Sequence, residues 1–265
     1  MLHIVCCVKQ VPDPEAPASQ FVVDEAAKKV LPMSGIASVP SQFDTIAVEA
    51  ALRIRDDVGE AKITILSVGP DGFKDVIKHC LAMGADAAVL VNDPAVVDAD
   101  HWVVADVLAA TVKKLDPADL IICGRQAVDW DMGVVGSTMA EILDLPCVTI
   151  AKAVEIKDGH AVVERVLLDG FETVEAPTPC VVTVSNELGE PRYPKMRDMM
   201  RASRKEILTW QAADIGMDAD QLAGRIKLER LYQPKTEIEC EFIDGSSPQE
   251  KAEKLAQRLK EARLI

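Results

Sequence analysis

Short apolar runs separated by stretches of helical periodicity recur from Leu2 to Ala151, and this alternation constrains the fold more than any single motif. Leu2–Val8, Lys62–Val68, Ala87–Val91 and Leu120–Cys123 have the length and aliphatic content of strands buried on both faces, and Cys147–Ala151 is a fifth candidate. Ala47, Ala50, Ala51 and Ile54 recur at i, i+3, i+4 and i+7, an amphipathic stripe, with Glu49 and Arg53 expected as a pair on the outer face. Gly72–Met83, Ala99–Leu115 and Gly136–Leu143 have similar character. Strand, helix, strand in repeated order implies right-handed crossovers. The expected fold class is α/β, a doubly wound parallel sheet with helices on both faces, over residues 1–185.

The 265-residue chain can bury a substantial core, and Ala, Val, Ile and Leu supply it: 49% of residues are apolar and 4% aromatic. With 29 basic and 43 acidic residues the formal charge is −14, which repels phosphate backbones and anionic membranes, so no nucleic-acid partner is expected. No apolar run approaches the roughly 20 residues that span a bilayer. Met1–Val8 is too short for a signal peptide and lacks a basic leader, so a cytoplasmic protein is expected.

Cys6, Cys7, Cys80, Cys123, Cys147, Cys180 and Cys240 show no C-x-x-C spacing, and most sit in apolar runs, where cysteine acts as a small hydrophobe. Buried reduced thiols are expected rather than a metal or disulfide framework. His3, His79, His101 and His160 form no ligand pattern, and no Ser-His-Asp constellation or nucleophile elbow is present.

The stretch Leu120–Gly136 reads as a buried strand, a glycine-marked turn and a helix start, the arrangement with which open α/β sheets bind nucleotides. It lacks G-x-G-x-x-G and the P-loop lysine, so an ordinary strand-to-helix connection is the competing reading. Gly69-Pro70-Asp71-Gly72 and the glycine-terminated Leu81–Asp86 are plain turns when each is taken alone. Placing Val8, Val68 and Gly124 at neighbouring strand ends would build one crevice.

Beyond residue 150 the character changes. Val154–Ile156 and Ala161–Leu168 around Lys157-Asp-Gly159 predict a hairpin at the sheet margin, followed by Pro179–Val184. Residues 186–207 hold Glu190-Pro-Arg-Tyr-Pro194 and a basic, methionine-bearing stretch. The remainder, 208–265, is an extension: Glu206–Lys235 carries little tertiary signal, and the last fifteen residues predict an amphipathic helix striped by Ala252, Leu255, Ala256, Leu259 and Ala262. Such a tail docks on a partner or on its own core.

Ordered blocks add a family to this reading. They are Val8-Lys-Gln-Val-Pro-Asp13, Phe43-x-x-Ile-Ala-Val-Glu49, Leu66-Ser-Val-Gly-Pro70 and Leu81-Ala-Met-Gly-Ala-Asp86, then Gly124-x-Gln-Ala-x-Asp129 with Asp131 and Gly136, Pro179-x-Val-Val-Thr183, and Glu190-Pro-Arg-Tyr193. Over about residues 2 to 207 the chain resembles the beta subunit of electron-transfer flavoproteins, a family that includes nitrogen-fixation-associated electron carriers. The resemblance implies a heterodimer in which an alpha subunit holds most of an FAD while this chain closes over it and binds an adenine nucleotide, AMP or a second FAD. It places Phe43 beside the flavin, and Pro14 where some relatives have an aromatic flavin contact.

By the same resemblance the nucleotide site draws on Cys7, Ser41, Val68, Gly124, Ala127, Asp129 and Asp131. Simple carriers hold the AMP phosphate with an Asn-Gln-Thr triplet, where this chain has Gly133-Val134-Val135 before Gly136, leaving backbone N–H groups and the helix N-terminus. Simple carriers shuttle electrons from acyl-CoA dehydrogenases; electron-bifurcating relatives hold a second FAD and oxidise NADH. Val135-Gly136 and the layout Leu90–Pro94 to Asp98-Ala-Asp100 are similar to the bifurcating group, whereas His101 and Val104 replace that group's threonines.

Pro191, Arg192, Tyr193, Lys195, Met196, Arg197 and Met199 match the family's partner-recognition loop, with Met196 at the anchor that inserts into an acyl-CoA dehydrogenase-type partner. The alternative is that Met196, Met199 and Met200 are local core. Arg201, Arg204 and Lys205 are either solvated or steer docking. No catalytic residue is expected of this subunit. In another class stands an adenine-nucleotide-binding stress or sensor protein, flavin-free and homodimeric. A nucleotide-dependent ligase or pyrophosphatase ranks last, since no nucleophile or metal cluster is evident.

Overall fold

The computed structural model describes residues 1–234 and 240–265. Its strands are β1 (Leu2–Cys7), β2 (Gln10–Val11), β3 (Val23–Asp24), β4 (Lys29–Val30), β5 (Val39–Pro40), β6 (Ala61–Val68), β7 (Ala87–Val91), β8 (Leu120–Gly124), β9 (Cys147–Lys157), β10 (His160–Leu167), β11 (Gly170–Pro177), β12 (Cys180–Val184) and β13 (Leu208–Trp210). Its α-helices are α1 (Gln42–Val58), α2 (Lys74–Met83), α3 (His101–Lys114), α4 (Val135–Leu143), α5 (Met196–Ala202) and α6 (Pro248–Glu261).

A nine-stranded sheet runs in the order β11-β10-β9-β12-β8-β1-β6-β7-β13. It is parallel from β9 to β13, with β10 and β11 antiparallel at the other edge. The expected α/β class and its strand–helix alternation are therefore present. From β1 the chain steps outward through β6 to β7, then returns through α3 to β8 on the opposite side of β1. That reversal makes the gap between the carboxyl ends of β1 and β8 the switch point of the sheet.

Alternation along β1 sorts the two faces. Ile4 and Cys6 join Ile46, Leu52, Ile63 and Ile77 in a core with α1 and α2, while Val5 and Cys7 join Leu108, Ile121 and Met139 in a core with α3 and α4. Ala47, Ala50 and Ala51 let α1 lie close to the strands, with Cys6 Sγ 3.8 Å from the Ala47 carbonyl oxygen. Leu52 and Ile54, both buried, contribute about 1.5–3 kcal/mol each by leaving water.

Several elements differ from expectation. Cys147–Ala151 and the first hairpin arm are one strand, β9, which pairs with β12 over its first half and with β10 over its second. β11, unanticipated, makes the hairpin three-stranded; it is a largely exposed edge and so lacks a burial period. β13 lies where little tertiary signal was visible, so residues past 207 complete the main sheet beside β7. Glu49 is not on an outer face: it is 5% exposed.

α6 starts one turn earlier than expected, with Ser247 accepting the Glu250 N–H at 3.2 Å and Pro248 in the first turn. None of its residues is buried: Leu259 is half-buried, and the described residues leave the rest of the apolar stripe exposed. Cys6, Cys7, Cys80, Cys123 and Cys180 are buried reduced thiols, whereas Cys147 and Cys240 are exposed. Among the described residues no helix is long and apolar enough to cross a membrane, and no group of three or more His, Cys, Asp or Glu side chains could hold a metal.

Candidate functional site

The carboxyl ends of the central strands meet at the switch point. The Val8 N–H donates to the Leu66 carbonyl at 2.9 Å and Ser67 Oγ donates to the Val8 carbonyl at 2.7 Å, joining the exits of β1 and β6. On the other side the Arg125 N–H donates to the Val184 carbonyl at 2.9 Å, joining β8 to β12. Cys7, Val8, Val68 and Gly124 thus stand on adjacent strand ends, as the crevice requires.

The first turn of α1 closes one wall. Ser41 holds the N-cap position, and its carbonyl accepts the Asp44 and Thr45 N–H groups at 3.0 and 3.1 Å. Its hydroxyl makes no cap bond: Ser41 is 0% exposed and, among the described residues, Oγ has no hydrogen-bond partner. A buried hydroxyl without a partner costs free energy unless something in the site bonds it. Three residues on, Asp44 accepts the Lys9 N–H at 2.8 Å and the Gly124 N–H at 3.2 Å, clipping the ends of β1 and β8 to α1. Burial pushes the Asp44 carboxyl up to about 7, opposed by those two N–H bonds and the Lys9 charge.

Gly124 is required by close approach. A Cβ there would lie 2.5 Å from Asp44 Oδ1 and 2.7 Å from Phe43 Cβ. Lys9 Nζ bridges to both Asp129 carboxylate oxygens at 2.8 and 2.7 Å, tying the β1 exit to the loop after β8. Phe43 is half-buried, with the Arg125 guanidinium 5.0 Å from its ring centroid. Pro14 lies in an exposed turn after β2.

Ala127 and Asp131 shape the loop: the Asp131 N–H donates to the Ala127 carbonyl at 2.9 Å, Gln126 bonds the Asp131 carboxylate, and Asp131 and Gly133 take φ of +57° and +65°. Trp130 and Met132 are exposed. Val134 precedes α4 without a side-chain cap, so the first N–H groups of α4 are available to an anion. Gly136 brings α4 against the sheet, where a Cβ would lie 2.7 Å from Thr183 Cγ2. Neither Val134 nor Val135 brings a hydroxyl or amide side chain, so a phosphate here would be held by backbone N–H groups.

The candidate docking residues form a second region. Tyr193, Met196, Met199 and Met200 are exposed, Tyr193 at 85% and Met196 at 72%, which excludes a local methionine core. Lys195 and Arg197 flank Met196 on the surface, and Pro191 is half-buried. Arg192 differs from these: its guanidinium reaches inward to Glu49 at 2.8 Å and to Asp56 at 2.8 Å. Lys205 donates to the Ala85 carbonyl at 2.6 Å and is not free to steer a partner. A cavity of about 220 Å³ between α2 and α5 is lined by Lys78, His79 and Met199.

Lys9, Asp44, Arg125 and Glu49 were not singled out as site residues from the sequence. Asp44 carried one signal, its place three residues after Ser41 at a helix start, but that pattern predicts a capping box rather than a clip between strands.

Residues 30–215 match the family model described as electron transfer flavoprotein domain. The caffeyl-CoA reductase-Etf complex subunit CarD of Acetobacterium woodii is 34% identical over 267 residues, covering all of both chains. The electron transfer flavoprotein subunit beta of Thermoanaerobacterium thermosaccharolyticum is 35% identical over 268 residues, again covering both. Protein FixA of Azotobacter vinelandii is 29% identical over 265 residues, 95% of this chain and 92% of its own.

Proposed function

The chain belongs to the electron-transfer flavoprotein beta-subunit family, and on that premise we propose that it pairs with an alpha subunit, closes over an FAD held mostly there, and binds an adenine nucleotide at its own switch point. The nucleotide is AMP or a second FAD. Cys7, Ser41, Val68 and Gly124 would line its adenosine end, Ala127, Asp129 and Asp131 the loop, and the Gly133–Gly136 backbone its phosphate. FAD, when bound, supplies the electron-carrying chemistry, and the residues of this chain orient it and shield it from water.

The unpartnered Ser41 hydroxyl carries the reading. It lies buried beside the clip that joins α1, β1 and β8, at the reversal of strand order where open α/β sheets bind nucleotides. Phe43, on the same turn, is half-buried and accessible to a flavin ring. Electrons would pass between an acyl-CoA dehydrogenase-type partner, docked on Tyr193–Met200, and a downstream acceptor. The name of the Acetobacterium relative, which places it in a caffeyl-CoA reductase complex, supports a partner that acts on acyl-CoA thioesters. A second FAD in the site would make the complex the NADH-oxidising, bifurcating type.

Co-expression with a candidate alpha subunit of the family tests the proposal. A yellow heterodimer supports it. A colourless homodimer carrying ATP would support an adenine-nucleotide sensor and overturn it.

A further inference from the structure

The exposed segment around Met196 is anchored to α1 through one buried carboxylate. Glu49 Oε1 accepts from Arg53 Nε at 2.9 Å and Arg192 Nη2 at 3.2 Å; Oε2 accepts from the Arg192 backbone N–H at 3.0 Å and from Arg192 Nε at 2.8 Å. Arg53 extends the grip, donating to the Leu188 carbonyl at 2.7 Å and the Glu190 carbonyl at 3.3 Å. Arg192 also reaches Asp56 at 2.8 Å. Gly189, at φ +104°, makes the turn that lays this backbone over α1. Burial opposes a charge on Glu49, but the bonds from Arg192 and Arg53 outweigh it and hold the carboxyl below its usual range.

The same helix carries Phe43 six residues earlier, about 9 Å along the axis at 1.5 Å per residue. One rigid element therefore bears the cofactor-facing turn at its start and the docking segment's anchor in its middle. We infer that Glu49 is a positioning residue for partner recognition, fixing the Tyr193–Met200 docking surface relative to the cofactor end of α1. The inference rests on the docking role proposed for that segment. A surface held in its bound shape avoids an ordering cost at association. Releasing the anchor returns that cost to the binding step and leaves electron passage in the formed complex unchanged.

The test is steady-state electron exchange between the heterodimer and its cognate dehydrogenase, with the dehydrogenase concentration varied. Glu49→Gln raises the half-saturating dehydrogenase concentration about tenfold, equivalent to about 1.4 kcal/mol, with maximal rate and flavin content unchanged. Arg192→Gln, on the exposed partner of the contact, produces the same rise, and the double variant goes no further than either single one. A parallel fall in maximal rate and flavin content would mean that Glu49 only supports the fold, and would overturn the inference. So would unchanged half-saturation in both variants while Met196→Glu still weakens docking. If Met196→Glu also has no effect, the docking assignment fails and the positioning role fails with it.

Discussion

The Gly124 N–H donates to Asp44 Oδ1 at 3.2 Å across 80 residues of sequence, and a methyl group on Gly124 would stand 2.5 Å from that same oxygen. The contact joins the end of β8 to the first turn of α1, and it leaves no room for a side chain between them. Gly124→Ala is expected to push the first turn of α1 outward, destabilising the protein by about 1–3 kcal/mol through overpacking. Thermal unfolding and nucleotide content after gel filtration measure both effects. An unshifted melting temperature with full nucleotide content would show that the contact yields without consequence.

Asp44 gives the stability a pH signature. Its carboxyl is raised by burial from 3.8 to about 7, so between those values the folded chain keeps a proton that the unfolded chain has lost. The contribution of this group therefore declines as pH rises through the window and levels off above about 7. Asp44→Asn stays neutral throughout. Denaturant titrations from about pH 4 to about pH 7.5 should show the variant gaining on the parent as pH rises, by a few kcal/mol at most. Parallel profiles would mean that folding does not raise the Asp44 carboxyl above its ordinary value.

Ser41→Ala separates a structural hydroxyl from one that serves a ligand. With no partner for Oγ among the described residues, the substitution should leave the nucleotide-free protein as stable as the parent or slightly more so. Adenine nucleotide should bind about 2–10-fold more weakly, the loss of roughly 0.5–1.5 kcal/mol of one hydrogen bond. Calorimetric titration with AMP and with FAD reads this directly, and unchanged affinity for both would remove Ser41 from the site.

Met196→Glu addresses the docking surface. A carboxylate in place of an apolar anchor should weaken electron exchange with the dehydrogenase by about 10–100-fold while flavin content stays intact. Stopped-flow exchange between the purified partners is the measurement, and equal rates for the two proteins would exclude Met196 from the interface.

Legibility in the sequence followed burial and chain distance. β1, β6, β7 and β8 were readable because both faces of each are covered, which turns them into continuous aliphatic runs. β11 and β13 were not, since they are short or exposed edge strands whose side chains carry no period. Gly124 could be placed from strand-end chemistry, whereas Ser41 came from the family resemblance alone. The Asp44 clip could not, because its partners Lys9 and Gly124 lie 35 and 80 residues away. Glu49 was misplaced for the same reason: local spacing pairs it with Arg53 on a solvent face, but Arg192, 143 residues later, folds over it.

The switch point is proposed to hold an adenine nucleotide in addition to an FAD shared with an alpha subunit. Denaturing the purified heterodimer and counting the FAD and AMP released decides the matter. Two adenine nucleotides per heterodimer are expected, either one FAD with one AMP or two FAD. Release of a single FAD and nothing else would contradict it.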